Sequence, residues 1–291
     1  MGKLKPVSAA LAIVASLVSA GGVFAQSLRS SASGPVTSVR SLFAQSAART
    51  LGEEFASDDV SYILLDAQTG SLLASHWPDA DRLIPLGSLI KPFTALAYAE
   101  HHDFHYPIYV CRGATSGCWQ PSPHGRLNIV SALAYSCNSY FLDLAAHLTG
   151  NEMLEVAAQF GIDPPDPTLS GPALMGIGEE WPIAPFRMAN AYLELIERRD
   201  DPGVRKIILG LQDSALWGTG SGVGRALKHS DALVKTGTAV CTHAHHAPGD
   251  GFVIALVPAD QPQLLLFVRV HGVAGAKAAA IAGRMLSRLE Q

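Results

Sequence analysis

The sequence predicts an α+β fold: an antiparallel sheet flanked by helices, with an all-helical subdomain inserted into the middle of the chain. Runs of aliphatic and β-branched residues lie near both ends of the chain, at 60–76 and at 232–270. The stretch between them consists mostly of helix-forming segments. Strands and helices thus fall into separate blocks, whereas a doubly wound fold alternates them regularly.

The first 25 residues have the layout of a secretory signal peptide. Lys3 and Lys5 precede an uncharged stretch rich in Ala, Val and Leu, and small residues lie before Gln26. We expect cleavage after Ala25, a flexible linker over 26–37, and export of the remainder to the periplasm or another extracytoplasmic space. The alternative is an uncleaved membrane anchor, although paired glycines interrupt the apolar stretch.

A helix and a hairpin open the predicted domain, which covers residues 38–291. Good helix formers fill 38–55, with apolar residues at helical spacing. The β-rich runs 60–66 and 71–76 are joined by a short loop that contains glycine, which predicts a hairpin. We expect the helical insertion to occupy about 90–230.

Further elements complete this arrangement. Helices are predicted over 88–100, 128–135, 138–149, 152–160, 183–198 and 205–216. They are followed by a strand at 232–237, a hairpin with strands 251–257 and 263–270, and a helix at 274–289. The apolar residues of the last helix share one face, which indicates that it packs on the sheet.

Composition excludes several classes of protein. Charged residues make up 16% and hydrophobic residues 48%, so the chain is neither disordered nor a highly charged coiled coil. A formal net charge of −4 gives no basic surface, so we expect no nucleic-acid partner. Four cysteines are too few for a disulfide scaffold.

The first of three short motifs is Ser88-Leu89-Ile90-Lys91, at a predicted helix start. Side chains three residues apart emerge on one face of a helix. A buried lysine has a lowered pKa and can take the proton from a neighbouring serine. The alternative is a helix-capping serine followed by a surface lysine.

The second motif, Ser136-Cys137-Asn138, lies between two predicted helices. A short connection can direct both polar side chains into a cleft, where a hydroxyl relays a proton and an amide hydrogen-bonds a substrate. Taken alone, this motif is more simply explained as an ordinary capping pair.

The third motif, Lys235-Thr236-Gly237-Thr238, ends a predicted strand and is rare by chance at this composition. Glycine leaves room for a substrate backbone to approach the strand edge. The lysine and threonine side chains suit a carboxylate.

In this order the three motifs resemble the set found in penicillin-binding proteins and serine β-lactamases. The flanking residues at 85–97, 135–141 and 235–239 resemble the transpeptidase domain of high-molecular-weight penicillin-binding proteins. The stretch 176–192 is also similar, and the likeness runs from about 58 to 285. It implies a β-lactamase/transpeptidase-like fold.

The resemblance implies catalytic roles for five side chains. Ser88 would be the acylated nucleophile and Lys91 the base that activates it. Ser136 would pass the proton to the leaving amine, and Asn138 would hold Lys91 and the substrate amide. Lys235 would set a positive potential. No metal and no organic cofactor are expected.

The resemblance also implies how substrate is bound. Thr236 and Thr238, on either side of Gly237, would bind the carboxylate of a D-Ala-D-Ala stem peptide or of a β-lactam that mimics it. The oxyanion would lie between the backbone N–H groups of Ser88 and Thr238. Val234 stands where the family usually has glycine, and we expect it to narrow access to the site.

Three functions remain open. The favoured one is a penicillin-binding DD-transpeptidase or DD-carboxypeptidase acting on peptidoglycan, with a cell-wall glycosyltransferase or another envelope protein as partner. A β-lactamase is the alternative, for which Glu179 and Glu180 are the only candidate bases in a loop-like segment. A non-enzymatic β-lactam sensor or partner domain is the third.

Cysteines and histidines outside the motifs receive structural interpretations. Cys111 and Cys118 bracket a short loop, and export would favour a disulfide between them. Cys137 lies inside the second motif, and Cys241 follows the third. His243, His245 and His246 suggest a metal site, but solvated loop histidines are the simpler interpretation because no fourth zinc ligand is evident.

Overall fold

The structure, a computed structural model, describes residues 34–241 and 248–290. The predicted signal peptide at 1–25, most of the linker at 26–37 and the three histidines between 243 and 246 lie outside these ranges. The predicted linker extends too far, because its last four residues belong to a helix that begins at Gly34. Within the described ranges, no helix has both the length and the hydrophobicity needed to cross a membrane.

Helices and strands follow the predicted order. The helices are α1 Gly34–Phe55, α2 Lys91–Glu100, α3 Ile129–Ala134, α4 Asn138–Ala145, α5 Gly150–Gln159, α6 Pro185–Glu197, α7 Val204–Leu216, α8 Ser221–Gly224 and α9 Gly275–Leu289. The strands are β1 Val60–Asp66, β2 Leu72–His76, β3 Tyr109–Cys111, β4 Gly125–Leu127, β5 Leu233–Ala239, β6 Asp250–Val257 and β7 Leu264–His271. Most predicted boundaries therefore lie within a few residues of the observed ones.

A five-stranded antiparallel sheet in the order β2-β1-β7-β6-β5 forms the centre of the fold. The first hairpin, β1–β2, is joined to the hairpin of β6 and β7 because β1 pairs with β7. In this pairing Tyr62 lies opposite Val268. The two ends of the chain thus close one sheet, and β5, which carries the third motif, lies at its edge.

Both faces of this sheet are buried, although an antiparallel sheet often leaves one face in water. On β1, Ile63 and Leu65 pack into the core shared with the helical insertion. Tyr62 and Leu64 alternate with them and pack into a second core with α1 and α9. Covering on both sides explains why the strands read as nearly continuous apolar runs.

Local signals set where the helices begin and end. Thr149 caps α5 and exchanges hydrogen bonds with Glu152, which forms a capping box. Because this cap starts a new helix, α4 ends at Ala145, before the predicted end at 149.

Aromatic side chains pack the helices of the insertion together. Phe93 of α2 packs edge-on against Phe160 and Tyr192, at ring-centroid distances of 5.3 and 5.5 Å.

The prediction of an all-helical insertion is wrong in one place. Strands β3 and β4 form a small two-stranded sheet between α2 and α3. Each has three residues, which is too short for an alternating pattern to show in the sequence. The loop between them, residues 112–124, contains Cys118, and the sequence analysis left its course unassigned.

Candidate active site

The three motifs meet at a cavity of about 420 Å³ between the edge strand β5 and the helical insertion. Seven motif residues were predicted to act at a common site besides Lys91, and six of them line this cavity. They are Ser88, Ser136, Asn138, Thr236, Gly237 and Thr238. The other, Lys235, lies just beneath, where it donates to Ser136 Oγ.

The first motif lies in a 3-10 helix, Gly87–Ile90, that continues directly into α2. Ser88 is half-buried at the cavity, whereas Lys91 is fully buried as the first residue of α2. Lys91 Nζ donates to the carbonyl oxygen of Ser136 at 2.9 Å and to Asn138 Oδ1 at 2.6 Å. The interpretation of Lys91 as a surface lysine is therefore wrong.

Burial changes the acid–base behaviour of both motif lysines. In the described part of the chain neither amine forms an ion pair with a carboxylate. Loss of hydration lowers the pKa of Lys91 to about 7. The pKa of Lys235 lies well below its usual value, because of burial and then because of the charge on Lys91. A neutral amine is thus accessible near pH 7.

The second motif is shaped by the end of α3. Ser136 has φ of 50°, in the left-handed region that non-glycine residues rarely adopt. Its N–H donates to the carbonyl of Leu133, and the N–H of Cys137 donates to that of Ala132, a Schellman arrangement that reverses the chain. The turn directs Ser136 Oγ towards Lys235 Nζ, which donates to it at 2.8 Å.

Two glycines let the third motif pack closely against the turn that contains Ser88. A Cβ on Gly237 would lie 2.5 Å from the carbonyl oxygen of Leu86, and one on Gly87 would lie 2.3 Å from that of Thr238. Gly87 also has φ of 58°. Glycine at 237 therefore lets the segment before Ser88 pack closely against β5, while Gly237 also lines the cavity.

Val234 does not narrow the cavity, contrary to the expectation from its place in the motif. Its side chain is fully buried in the core shared with α1 and α9 and does not line the cavity. It packs towards Gly220, where an added Cβ would lie 2.5 Å from Val234 Cγ1. Glycine at 220 thus accommodates the larger residue at 234.

Several cavity residues were missed by the sequence analysis. Thr219 accepts a hydrogen bond from Thr236 Oγ1 at 2.6 Å, and the glycines around it were the only signal of a tight turn. Trp119 lines the cavity and donates from Nε1 to the carbonyl oxygen of Ser136 at 3.2 Å. It comes from an irregular loop, where no periodic pattern could indicate its position.

Two other predictions concern residues beside the cavity. Glu179 and Glu180 are exposed and do not line it, although Gly178 before them does. The predicted disulfide between Cys111 and Cys118 is absent, and both are free cysteines. Each sulfur instead lies 3.5 Å from Nδ1 of His124.

Comparisons with known proteins identify the fold and the family of this chain. A search of curated protein sequences finds no match. Among solved structures, PBP2 of Pseudomonas aeruginosa in complex with WCK 5153 superposes with a TM-score of 0.67 at 17% identity, over 84% of this chain and 76% of that one. The D,D-transpeptidase domain of a peptidoglycan glycosyltransferase from Eggerthella lenta gives 0.65 at 18%, over 85% and 81%.

A third structure, the complex between PBP2 and MreC of Helicobacter pylori, gives a TM-score of 0.69 at 15% identity. The superposition covers 85% of this chain and 62% of the PBP2 chain, so this chain spans less than two thirds of that relative. These likenesses establish the fold. The family model for the penicillin-binding protein transpeptidase domain matches residues 60–288, most of the chain. This protein therefore belongs to the penicillin-binding protein transpeptidase domain family.

Proposed function

We propose that this protein is a serine acyltransferase that acts on the D-Ala-D-Ala ends of peptidoglycan stem peptides through an acyl-enzyme on Ser88. The observation that carries the proposal is Lys91, a fully buried amine without a carboxylate partner in the described residues, at the cavity that Ser88 lines. Such an amine is poised to be neutral and to serve as a base.

The hydrogen bonds of Lys91 indicate how it acts. A neutral amine has two N–H groups and one lone pair. Its two acceptors, Ser136 O and Asn138 Oδ1, take both N–H groups and leave the lone pair for the Ser88 hydroxyl. Ser88 precedes Lys91 by three residues, so the two side chains share a helix face.

Acylation then forms one C–O bond, breaks one C–N bond and relays a proton from Ser88 to the departing nitrogen. Lys91 takes the Ser88 proton while Ser88 Oγ bonds to the carbonyl carbon of the penultimate D-alanine, and the C=O electron pair moves to oxygen. Collapse of this intermediate breaks the C–N bond to the terminal D-alanine. The departing nitrogen takes the proton, passed from Lys91 through Ser136 Oγ.

Two further parts of the cavity support this assignment. Gly87 packs against the backbone of Thr238, which brings the N–H groups of Ser88 and Thr238 to neighbouring positions suited to the oxyanion. Thr236 and Thr238 lie on β5 beside Lys235, where the two hydroxyls, and the lysine when it is protonated, suit a substrate carboxylate.

The acceptor that releases the acyl group is an amine or slowly reacting water. Rapid hydrolysis needs a base directed at water, and the two candidates, Glu179 and Glu180, are exposed and outside the cavity lining. This favours a transpeptidase or carboxypeptidase over a β-lactamase. The proposal includes export, β-lactam binding, and an envelope protein or glycosyltransferase as partner.

The test is intact-mass measurement after incubation with a labelled penicillin. We expect one adduct per wild-type chain, persisting for many minutes, and none on Ser88→Ala. Ser170→Ala is the matched control because Ser170 is exposed and makes no capping hydrogen bond; it should be acylated like the wild type. Release of D-alanine from a pentapeptide substrate would distinguish an enzyme from a sensor. An adduct that survives in Ser88→Ala would contradict the proposal.

A further inference from the structure

Three cysteines and a histidine meet beside the catalytic cavity, in a cluster that the proposed mechanism does not use. We call it the cysteine cluster; its members are Cys111, Cys118, His124 and Cys137. Their ligand atoms all lie within 4.8 Å of one another. The cysteines are nearly inaccessible to solvent, at 0%, 7% and 0% exposure.

Three of the six distances between ligand atoms in the cluster match those of a tetrahedral zinc site, and the other three are at most 4.8 Å. Zinc binds sulfur at about 2.3 Å and imidazole nitrogen at about 2.0 Å, so tetrahedral edges are about 3.8 Å between sulfurs and about 3.5 Å between sulfur and nitrogen. Cys118 Sγ lies 3.7 Å from Cys137 Sγ. His124 Nδ1 lies 3.5 Å from the sulfurs of both Cys111 and Cys118.

Neighbouring groups hold the ligands in place. The N–H of Gly113 donates to Cys111 Sγ at 3.4 Å, and Ser139 Oγ lies 3.6 Å from the same sulfur. The His124 ring stacks on Tyr135 with centroids 4.6 Å apart and planes 19° apart. Such contacts orient metal ligands in a site's outer shell.

From this geometry we propose that the protein binds one structural Zn²⁺ ion through Cys111, Cys118, His124 and Cys137. Three thiolates and an imidazole form a common donor set for structural zinc. All four positions are filled by protein, so the metal would carry no open site for catalysis. The proposal replaces the expectations of no metal and of a Cys111–Cys118 disulfide.

The site links two parts of the chain that no regular structure joins. Cys111 ends β3, and Cys118 and His124 lie in the loop that leads to β4. Cys137 lies between the motif residues Ser136 and Asn138. Zinc would therefore fasten this loop to the second motif and fix the strained turn at Ser136. This positioning role rests on the proposed function, whereas metal binding does not.

A second group, Cys241, Asp250 and His271, also lies close enough to share a metal. It offers three ligands, and its histidine and aspartate already form a contact of 2.6 Å. It carries no proposal, but it makes Cys241→Ser a matched control. That variant removes a buried thiol from a candidate group outside the cysteine cluster.

The first test measures metal in wild-type protein made from the full 291-residue chain, purified without chelators and without a polyhistidine tag. We expect one zinc per chain by elemental analysis, released by a mercurial reagent together with three reactive thiols. Exchange with cobalt(II) should give the visible bands of a tetrahedral thiolate site. Protein that contains no zinc and gives no thiolate band with cobalt would overturn the proposal, as would a disulfide between two cluster cysteines in denatured, unreduced protein.

The second test uses variants. Cys118→Ser and His124→Asn should lose the zinc, whereas Cys241→Ser should keep it; the opposite pattern would contradict the assignment. Far-ultraviolet circular dichroism checks that each variant folds. If a variant does not fold, the zinc content and cobalt spectrum of the wild-type protein decide whether the site exists. If zinc positions the second motif, Cys118→Ser should slow penicillin acylation about tenfold or more. Unchanged acylation without zinc would refute the positioning role alone, and zinc without any acylation would refute the proposed function alone.

Discussion

The two walls of the cavity are built by different forces. On the side of Ser88, the backbone around Gly87 packs directly against the backbone of β5. A Cβ added to Gly87 or Gly237 would overlap this backbone. On the side of the second motif, polar side chains determine the structure, because Lys91 and Lys235 hold Ser136 from two directions. Shape therefore fixes the first wall and hydrogen bonding the second, so mutations in the two walls should have different consequences.

The largest effect is expected for Lys91→Met, which removes the base and keeps the volume of the side chain. Acylation of Ser88 by penicillin should slow by about 10³-fold, within the range lost with a general base. The free energy of unfolding should fall by about 1–2 kcal/mol, because Asn138 Oδ1 loses its lysine donor while Trp119 still donates to the Ser136 carbonyl. Stopped-flow acylation and urea unfolding measure the two quantities.

Lys206→Met is the control for that substitution, since Lys206 is exposed on α7 and lies far along the chain from the motifs. It should acylate at the wild-type rate. Acylation by Lys91→Met within a few-fold of wild type would show that another group takes the Ser88 proton. The polar wall would then bind substrate without activating the nucleophile.

A smaller effect, and one on stability, is expected for Gly87→Ala in the packed wall. The new Cβ would overlap the carbonyl oxygen of Thr238, and φ of 58° is unfavourable for alanine. Overpacking and backbone strain together should lower the free energy of unfolding by about 2–4 kcal/mol. Chemical denaturation of both proteins measures the difference.

Gly125→Ala sharpens this experiment. Gly125 also has a positive φ, of 75°, but nothing lies within 4 Å of an added Cβ. Its substitution should cost only the backbone strain, about 1 kcal/mol. Equal losses in the two variants would mean that close packing against β5 adds nothing at Gly87.

The sequence could predict those parts of the fold and the site that depend on residues close together in the chain. Strands and helices were placed correctly where apolar residues form a short continuous run, as in β1, or recur at helical spacing, as in α9. The motif residues at the cavity were found through short motifs in fixed order. In both cases the information lies in neighbouring residues.

The errors arise where distant residues meet without periodicity. His124 was not considered a ligand, because its partners lie in a loop and a motif that only folding brings together. Val234 was expected at the cavity, since the sequence does not show that Gly220 receives it on the other side of β5. The close approach of Leu86 to Gly237 was hidden for the same reason.

The pH dependence of Ser88 acylation in the wild-type protein tests most directly whether Lys91 acts as a neutral base. Below its pKa of about 7, Lys91 is protonated and cannot accept the Ser88 proton. The acylation rate should therefore fall about tenfold for each pH unit below 7 and level off above it. An acylation rate that stays constant from about pH 5 to about pH 9 would contradict the role of Lys91 as a neutral base.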